Sequence, residues 1–338
     1  MPTTPIRVAV IGVGAFGRNH VRVYRELEAA YPELVKLVAF VEKDSITRDA
    51  AAARLKLPAY ASVEDLLNSP HRPQAASICV PTIHHASVAE VLLNNGIDIL
   101  IEKPFANTLE DADRILALAR AKDRILQIGH LERFNPAVIE LERRATLPLF
   151  FEIHRMNVFS PRSLDVDVVL DLMIHDVDIV LALAEAEPEE IRAAGVHVLS
   201  DKVDIANVRM QFPNGCVANL TASRVSTERV RKLRLFQPKQ YLSLDYSRQD
   251  LAIFSVGSDR EIGREIDRQI GFEQAPVAKA EPLKLQLEAF LEAIRSRRSP
   301  KCNGPRARQT LGAALAILDK IKEHSEVVSH SLEVGWKP

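Results

Sequence analysis

The stretch VAVIGVGAFGRNH, residues 8–20, decides the fold of the first part of the chain. An apolar run is followed by Gly12, Gly14 and Gly17 in the spacing G-x-G-x-x-G, and a helical pattern opens there. In such a turn the first glycine permits a tight bend, the second lets a pyrophosphate approach the backbone, and the third lets helix and strand pack closely. The N–H groups at the helix start then face the phosphates. The pattern predicts a dinucleotide-binding βαβ unit.

The next apolar run, LVAFVEKD at 37–44, ends in Glu42, 25 residues beyond Gly17. A carboxylate at this point accepts hydrogen bonds from the ribose hydroxyls and repels a 2′-phosphate, which favours NAD over NADP. Lys43, the next residue, weakens this preference for NAD. The alternative is a glycine turn that serves packing alone, with Glu42 as a solvated charge. The predicted cofactor contacts around this turn are Gly12, Gly14, Ala15, Phe16, Gly17 and Glu42.

Short apolar runs alternate with helical patterns through the first third of the chain. This alternation predicts a doubly wound parallel sheet whose strands are covered on both faces. The pattern changes near Gly129, so we assign residues 1–128 to a Rossmann domain and 129–338 to a second α/β domain. The predicted strands are Arg7 to Ile11, Val35 to Val41, Ala76 to Val80, Ile97 to Ile101 and Ile125 to Ile128.

From Leu147 to Val256 the sequence is mostly strand-like, with one apolar helix inserted at Val168 to Leu183. In Val203 to Ser223, two stretches of alternating apolar and polar residues are joined by Pro-Asn-Gly, which predicts a hairpin. The succession of strands predicts a largely antiparallel sheet. Two amphipathic helices follow within residues 282–324, and packing of these helices back onto the Rossmann domain remains open.

Two sets of polar residues follow strands of the predicted parallel sheet, at the carboxyl edge where ligands bind in open α/β folds. Pro81, Thr82 and His85 come after one strand, although Thr82 or His84 could instead cap a helix. Glu102 and Lys103, in DILIEKPFA, come after another. Lys103 could hydrogen-bond a substrate hydroxyl or take its proton beside a nicotinamide. The alternative is an ion pair with Glu102 at a strand end.

The inserted helix, VVLDLMIHDVDIVLAL at 168–183, has twelve apolar residues among sixteen, so it should be buried. At about 100° per residue, Asp171, His175 and Asp178 fall within a wedge of roughly 60°, while Asp176 points elsewhere. Polar groups on a buried helix are either satisfied or used. Asp171 and His175 are therefore an orienting carboxylate and a base, or a structural pair.

Composition excludes several classes of protein. The chain has 338 residues, and its 44 Lys and Arg balance 45 Asp and Glu, so no basic excess draws it to nucleic acid or to a membrane. Three scattered cysteines form neither a metal-binding spacing nor a disulfide framework, and we expect no metal. No signal peptide precedes the first strand, which together with the cysteines predicts the cytoplasm.

The motifs GVGAFGRNH, IEKPFA and DLMIHDVDI together resemble the Gfo/Idh/MocA oxidoreductases. The resemblance covers nearly the whole chain. It implies a Rossmann domain followed by a domain with an open-faced, mostly antiparallel sheet, through which members form dimers or tetramers. It also implies that Lys103 and His175 flank the nicotinamide, that Asp171 lies beside the substrate, and that the Lys103–Pro104 peptide is cis.

QIGHLERFNPAV and DVDVVLDLMIHDVDIVL are similar to the nucleotide-sugar branch of that family, whose members oxidise C3 of UDP-N-acetyl sugars. By this likeness Arg133 and Asn135 line the active cleft. Arg155 and Arg162 are candidates for the UDP pyrophosphate or a sugar carboxylate, because guanidinium groups match both. Surface solvation is the alternative for each of these arginines.

The resemblance implies hydride transfer from C3 of UDP-N-acetylglucosamine or its uronic acid to NAD, with His175 as base and Lys103 as polarising group. The 3-keto product would suit an aminotransferase in lipopolysaccharide biosynthesis. A dehydrogenase of free polyols such as inositol, and a regulator that binds the cofactor without catalysis, remain alternatives. A regulator would not need Lys103, Asp171 and His175 together.

Overall fold

The computed structural model describes residues 4–159, 166–257, 260–262, 265–267 and 270–333. By its internal contacts the chain divides into two compact units. Unit 1 contains the residues up to Leu131 together with Glu281–Leu311, and unit 2 contains Glu132–Ala280 together with the residues from Gly312 onward.

Strands and helices alternate in the first part of the chain, and strands predominate from β7 to β16. The strands are β1 Ile6–Ile11, β2 Val35–Val41, β3 Ala59–Tyr60, β4 Ala75–Ile78, β5 Asp98–Glu102, β6 Leu126–Gly129, β7 Phe150–Val158, β8 Glu190–Val196, β9 Ile205–Gln211, β10 Val217–Ser226, β11 Val230–Gln237, β12 Gln240–Asp245, β13 Asp250–Val256, β14 Arg260–Ile262, β15 Glu265–Asp267 and β16 Ile270–Gln274. The helices are α1 Gly17–Ala30, α2 Ser45–Leu55, α3 Val63–Leu67, α4 His85–Asn94, α5 Leu109–Ala121, α6 Pro136–Arg144, α7 Ile174–Ala184, α8 Pro282–Ser296 and α9 Gly304–Glu333.

Unit 1 is built on a parallel sheet in the order β3-β2-β1-β4-β5-β6. This is the strand order of doubly wound dinucleotide-binding folds, and it confirms the predicted Rossmann sheet. The order reverses between β1 and β4, so their carboxyl ends border the crevice in which such folds bind ligands. Helix α8 also belongs to this unit, where Leu283, Leu287 and Phe290 pack in the same apolar core as Val8 of β1.

Unit 2 is built on an eight-stranded sheet in the order β16-β13-β12-β11-β7-β10-β9-β8. All neighbouring pairs are antiparallel except β7 and β10, as the sequence predicted for a largely antiparallel sheet. The predicted hairpin is formed by β9 and β10, and Gly215 between them adopts a φ of +83°. One face of the sheet packs on α6, α7 and the later part of α9.

The inserted helix of unit 2 differs from a regular α-helix at its start. Val169–Met173 form a π-helical turn, and α7 continues from Ile174. The wider π turn rotates less per residue than an α-helix, and such turns are frequent at functional sites. Asp171 lies within this turn and His175 lies just after it, so the helical wheel of uniform 100° steps describes this segment poorly.

A buried ion pair fixes α7 to the sheet. Arg155 of β7 donates to both carboxylate oxygens of Asp176 at 2.8 Å and to Glu132 Oε1 at 2.9 Å. The ring of Tyr246 lies 4.7 Å from the same guanidinium. Burial alone would lower the pKa of Arg155, but the charges of Asp176 and Glu132 outweigh it and raise the pKa well above its ordinary value. Arg155 therefore stays charged inside unit 2.

Replacement of Arg155 by methionine should destabilise the protein strongly. The change leaves Asp176 and Glu132 buried without their cation, and breaking a buried pair from one side costs about 3–5 kcal/mol. Chemical denaturation of the full chain measures this free energy of unfolding. The matched control is Arg192→Met, which removes an exposed ion pair to Glu190 and should cost less than about 1 kcal/mol. Equal losses in the two variants would contradict the assigned role of Arg155.

Candidate active site

The glycine turn after β1 assigns a different task to each glycine. Gly12 has a φ of +87°, and a Cβ there would lie 2.9 Å from the carbonyl oxygen of Cys79. A Cβ at Gly17 would lie 2.0 Å from the carbonyl oxygen of Gly12. A Cβ at Gly14 would meet no atom within 4 Å. The first and third glycines are thus required for packing, and the second leaves the space through which a pyrophosphate approaches the backbone.

The start of α1 is suited to an anion. Its first turn contains no acidic residue, so the positive end of the helix dipole is not neutralised locally. Ala15 and Phe16, just before the helix, are exposed. A helix start without a local negative charge and with exposed flanking residues fits the phosphates of a dinucleotide.

A groove of about 1160 Å³ runs along the carboxyl edge of the unit 1 sheet, past Gly14, Glu42 and Pro81. Glu42 accepts hydrogen bonds from the backbone N–H of Val13 at 3.0 Å and of Asp44 at 3.2 Å. These two bonds hold the carboxylate at the groove wall beside the glycine turn. The volume, the open space at Gly14 and the fixed carboxylate fit a bound dinucleotide.

The two neighbouring histidines after β4 exchange the roles that the sequence predicted. His84 is exposed and lines the groove, whereas His85 is almost fully buried. The ring nitrogens of His85 lie 3.0 Å from the carbonyl oxygens of Pro104 and Val80. Burial lowers the pKa of His85 despite these contacts. Both ring nitrogens of His85 are thus engaged by backbone, and of the two histidines His84 lines the groove. Thr82, in the 3-10 turn Thr82–His84, is half-buried.

The E-K-P segment at the end of β5 has the predicted cis Lys103–Pro104 peptide. Glu102 does not face the groove as a cofactor ligand would. Its Oε1 lies 3.0 Å from Nε2 of His20 and 3.2 Å from Nε2 of Gln286, and all three residues are buried. Lys103, the next residue, is half-buried. Glu102 is therefore a buried anchor for the segment that presents Lys103.

The polar residues of the inserted helix separate into two groups. Asp171 and His175 are half-buried, whereas Asp176 and Asp178 are buried and engaged with arginines. Asp178 lies 3.6 Å from Nη1 of Arg133. The predicted wedge of three therefore contains only two residues with access to a ligand, Asp171 and His175.

The structure shows the protein partners of three predicted substrate-binding residues in unit 2. Arg155 is buried and bound to Asp176 and Glu132, so it has no fork of donors left for a pyrophosphate. Asn135 caps α6 by accepting from the N–H of Ala137, and its amide donates to Glu132 and to the carbonyl of Tyr246. Arg133 is also buried, 2.7 Å from Glu142. Arg162 lies outside the described residues.

Sequence reasoning missed His20, although it assigned the glycine motif that contains it. His20 is on the buried face of α1, which also carries Gly17, Val21, Tyr24 and Leu27. A histidine at helical spacing among apolar residues is the signal that would have found it, because a buried imidazole needs a polar partner. That partner, Glu102, is 82 positions away.

The residues that the structure describes were also compared with the requirements of a metal site and of a membrane-spanning helix. Within them, no group of three or more His, Cys, Asp or Glu side chains is placed to hold a metal ion. No described helix is both long and apolar enough to cross a bilayer.

Alanine at Gly14 and at Gly17 should have opposite consequences. Gly17→Ala forces a contact with the backbone of Gly12 and should destabilise the protein by about 1–3 kcal/mol or more. Gly14→Ala should fold normally but bind NADH at least about 10-fold more weakly, because its methyl occupies the approach of the pyrophosphate. Thermal unfolding and NADH fluorescence titration measure the two effects. Wild-type NADH affinity in Gly14→Ala would contradict the placement of the cofactor.

Comparison with known proteins agrees with both units. Residues 6–130 match the family model of the oxidoreductase family with NAD-binding Rossmann fold, and residues 147–240 match that of the GFO/IDH/MocA C-terminal domain. UDP-N-acetylglucosamine 3-dehydrogenase of Acidithiobacillus ferrooxidans is 38% identical over 92% of this chain and 96% of its own. Its crystal structure superposes with a TM-score of 0.85, covering 95% of this chain and 99% of the other.

More distant proteins share the fold. Levoglucosan dehydrogenase in complex with NADH and levoglucosan has a TM-score of 0.81 at 18% identity, over 95% of this chain and 98% of its own. An inositol 2-dehydrogenase/D-chiro-inositol 3-dehydrogenase of Shouchella clausii is 29% identical over 55% of each chain. With both family models matched in order, this chain belongs to the Gfo/Idh/MocA family of oxidoreductases, and its first unit is an NAD-binding Rossmann domain.

Proposed function

We propose that this enzyme oxidises the C3 hydroxyl of UDP-N-acetylglucosamine, or of its 6-uronic acid, to a 3-keto sugar with reduction of NAD. The observation that carries the proposal is the 38% identity to UDP-N-acetylglucosamine 3-dehydrogenase, which extends over nearly the full length of both chains. Half-buried Lys103, Asp171 and His175 supply the acid–base groups that the reaction needs. The uronic acid is included because guanidinium groups of unit 2 would suit its carboxylate as well as a diphosphate.

Bound NAD supplies a hydride acceptor at C4 of its nicotinamide ring. The groove of unit 1 selects NAD rather than NADP, since the fixed carboxylate of Glu42 would repel a 2′-phosphate. Backbone N–H groups at the start of α1 bind the pyrophosphate. Lys103 follows Glu102 at the carboxyl edge of the same sheet, where the substrate end of the cofactor lies in such folds.

Removal of a hydride from C3 leaves positive character on that carbon, so the hydroxyl proton must leave nearly in step. We assign its removal to the neutral imidazole of His175 and the polarisation of the C3 oxygen to the ammonium of Lys103. Asp171 lies in the π turn, four residues before His175, and we assign to it the orientation of the imidazole. A positioned general base contributes about 100- to 10,000-fold to the rate.

Replacement of His175 by asparagine should lower kcat for UDP-N-acetylglucosamine by about 100- to 10,000-fold and leave the affinity for NADH unchanged. NADH absorbance gives the rate, and mass spectrometry of the product identifies the 3-keto sugar. The control is His197→Asn, an exposed histidine of the same unit, which should retain full turnover. Full turnover in His175→Asn would remove it from the mechanism.

A substrate panel tests the proposed activity itself. UDP-N-acetylglucosamine, its uronic acid, inositol and free glucose are each assayed with NAD and with NADP. We expect turnover with a UDP-sugar and NAD. Turnover with inositol alone would identify a polyol dehydrogenase, as the partial likeness to inositol dehydrogenases would suggest. NADH binding without turnover of any compound would favour a regulator.

We also propose that a second copy of the chain covers the outer face of the unit 2 sheet. A row of aromatic side chains crosses five neighbouring strands on that face, with ring centroids 4.8–5.8 Å apart. Its members are exposed or half-buried, and Phe272 is 62% exposed. A contiguous exposed apolar patch of this kind is typical of a protein–protein interface. The aromatic row consists of Phe150, Phe236, Tyr241, Phe254 and Phe272.

Replacement of Phe254 by glutamate should convert the oligomer into monomers, because a buried unpaired carboxylate opposes association. Analytical ultracentrifugation of the full-length protein measures the mass. Val198→Glu places the same charge on an exposed apolar residue outside the aromatic row and should leave the oligomer intact. A monomeric wild-type protein, or an unchanged mass in Phe254→Glu, would contradict the interface.

The chemistry of the product indicates what consumes it. A ketone at C3 of an N-acetyl sugar is the substrate that an aminotransferase converts into a 3-amino group. We therefore propose that the enzyme precedes such an aminotransferase in the cytoplasm, in synthesis of an amino sugar of the lipopolysaccharide. Formation of a 3-amino product when an aminotransferase and an amino donor are added to the assay would support this order.

A further inference from the structure

Arg231 lies next to Arg155 on the core-facing side of the unit 2 sheet. The two residues are direct partners in the antiparallel pairing of β11 with β7. Arg155 is bound to Asp176, the residue that directly follows His175 on the inserted helix. Arg231 is therefore one strand away from the residue that fixes the helix of Asp171 and His175, within the same unit.

The carboxylates near Arg231 are already used by other groups. Glu132 Oε1 accepts from Arg155 at 2.9 Å, and its Oε2 accepts from Asn135 at 3.2 Å. The same Oε1 is 3.9 Å from Nη1 of Arg231, beyond hydrogen-bond distance. Asp176 has both oxygens on Arg155. No carboxylate of this cluster thus forms a direct hydrogen bond to Arg231.

The donors of Arg231 are correspondingly underused. Its Nε is buried and has no hydrogen-bond partner among the residues that the structure describes. Its Nη2 makes one long contact, 3.5 Å to Oδ1 of Asn157. The side chain as a whole is 28% exposed, so Arg231 is not closed off from a ligand. A buried guanidinium normally has its N–H groups satisfied, and this one has most of its fork available.

The charge around Arg231 favours an incoming anion. Burial lowers the pKa of Arg231, and the adjacent positive charge of Arg155 lowers it further; Arg229 adds to the effect. Glu132 and Asp176 oppose this but belong to Arg155. An oxyanion that contacts Arg231 would supply the missing negative charge in a partly desolvated place, where charge-assisted hydrogen bonds are strongest.

We infer that Arg231 binds an oxyanion of the substrate, in the position that the sequence assigned to Arg155. This inference rests on the proposed function, in which the substrate is a nucleotide sugar. Two parallel N–H groups of a guanidinium match two oxygens of a phosphate or of a carboxylate. The source of the oxyanion is the diphosphate of the UDP group or, in the uronic acid, the carboxylate at C6.

Arg231 differs from the other arginines that sequence reasoning considered. Arg133 and Arg155 are held by buried carboxylates. Arg231 combines a buried Nε, a partly exposed side chain and a neighbouring cation. It is a substrate-binding residue and takes no part in proton transfer.

The test is the binding of UDP, UDP-N-acetylglucosamine and its uronic acid to the NADH-bound enzyme, measured by titration calorimetry. Arg231→Met should lower the affinity for the ligand that supplies the oxyanion by about 10- to 100-fold, because hydrogen bonds to charged groups contribute about 1.5–3 kcal/mol. Steady-state kinetics should show a raised KM. Arg231→Lys keeps the charge but loses the fork, so its affinity should fall between those of wild type and Arg231→Met. Arg248→Met, an exposed arginine of the same unit, is the control and should bind like wild type.

Each outcome has a distinct consequence. Weaker binding of all three ligands in Arg231→Met would show that Arg231 contacts the diphosphate. Weaker binding of the uronic acid alone would show that it contacts the carboxylate at C6. Unchanged binding of all three in both Arg231 variants, with wild-type thermal unfolding, overturns the inference and leaves the proposed function intact. A wild-type enzyme that binds none of the three ligands contradicts the proposed function, and the inference with it.

Discussion

One buried ion pair, between Arg155 and Asp176, determines which side of the inserted helix is available for chemistry. Successive residues of a helix point about 100° apart, so a side chain fixed toward the sheet turns its neighbour away from it. Asp176 is fixed in this manner by two hydrogen bonds of 2.8 Å. His175 consequently remains half-buried, where a base needs to be. The same pairing occupies the guanidinium of Arg155 and leaves that of Arg231 for another anion.

Unit 1 applies a similar principle at the end of β5. Glu102 is held by His20 from α1 and by Gln286 from α8, so two helices distant in sequence fix one carboxylate. Lys103, the residue after the strand end, is half-buried and lies next to this fixed carboxylate. In both units a carboxylate bound in the interior is the sequence neighbour of a residue assigned to the reaction. Glu102 precedes Lys103, and Asp176 follows His175. The stability of the fold and the presentation of the base thus depend on the same contacts.

The fold could be predicted from sequence because its signals are local. The glycine spacing after β1, the alternation of strands and helices, and the Pro-Asn-Gly hairpin each depend on residues that are neighbours in the chain. The roles of Arg155, Asn135 and His85 could not be predicted, because each depends on partners from other elements. His84 and His85 are adjacent and chemically identical, and only the packing of α4 decides which one is exposed. The π turn that contains Asp171 likewise has no signal in a uniform helical wheel.

The two units differ in the kind of group that they offer to an anion, and this difference has a consequence for specificity. In unit 1 the proposed groups are backbone N–H donors at the start of α1, next to a turn in which a Cβ at Gly12 or Gly17 would lie too close to backbone atoms. Such a site suits a cofactor that does not vary. In unit 2 the proposed donor is a side chain on a strand, which a single substitution can change. A change at position 231 is therefore expected to alter which oxyanion unit 2 binds while leaving the cofactor groove of unit 1 unchanged, in line with the general rule that one fold hosts different activities through changes at its sites.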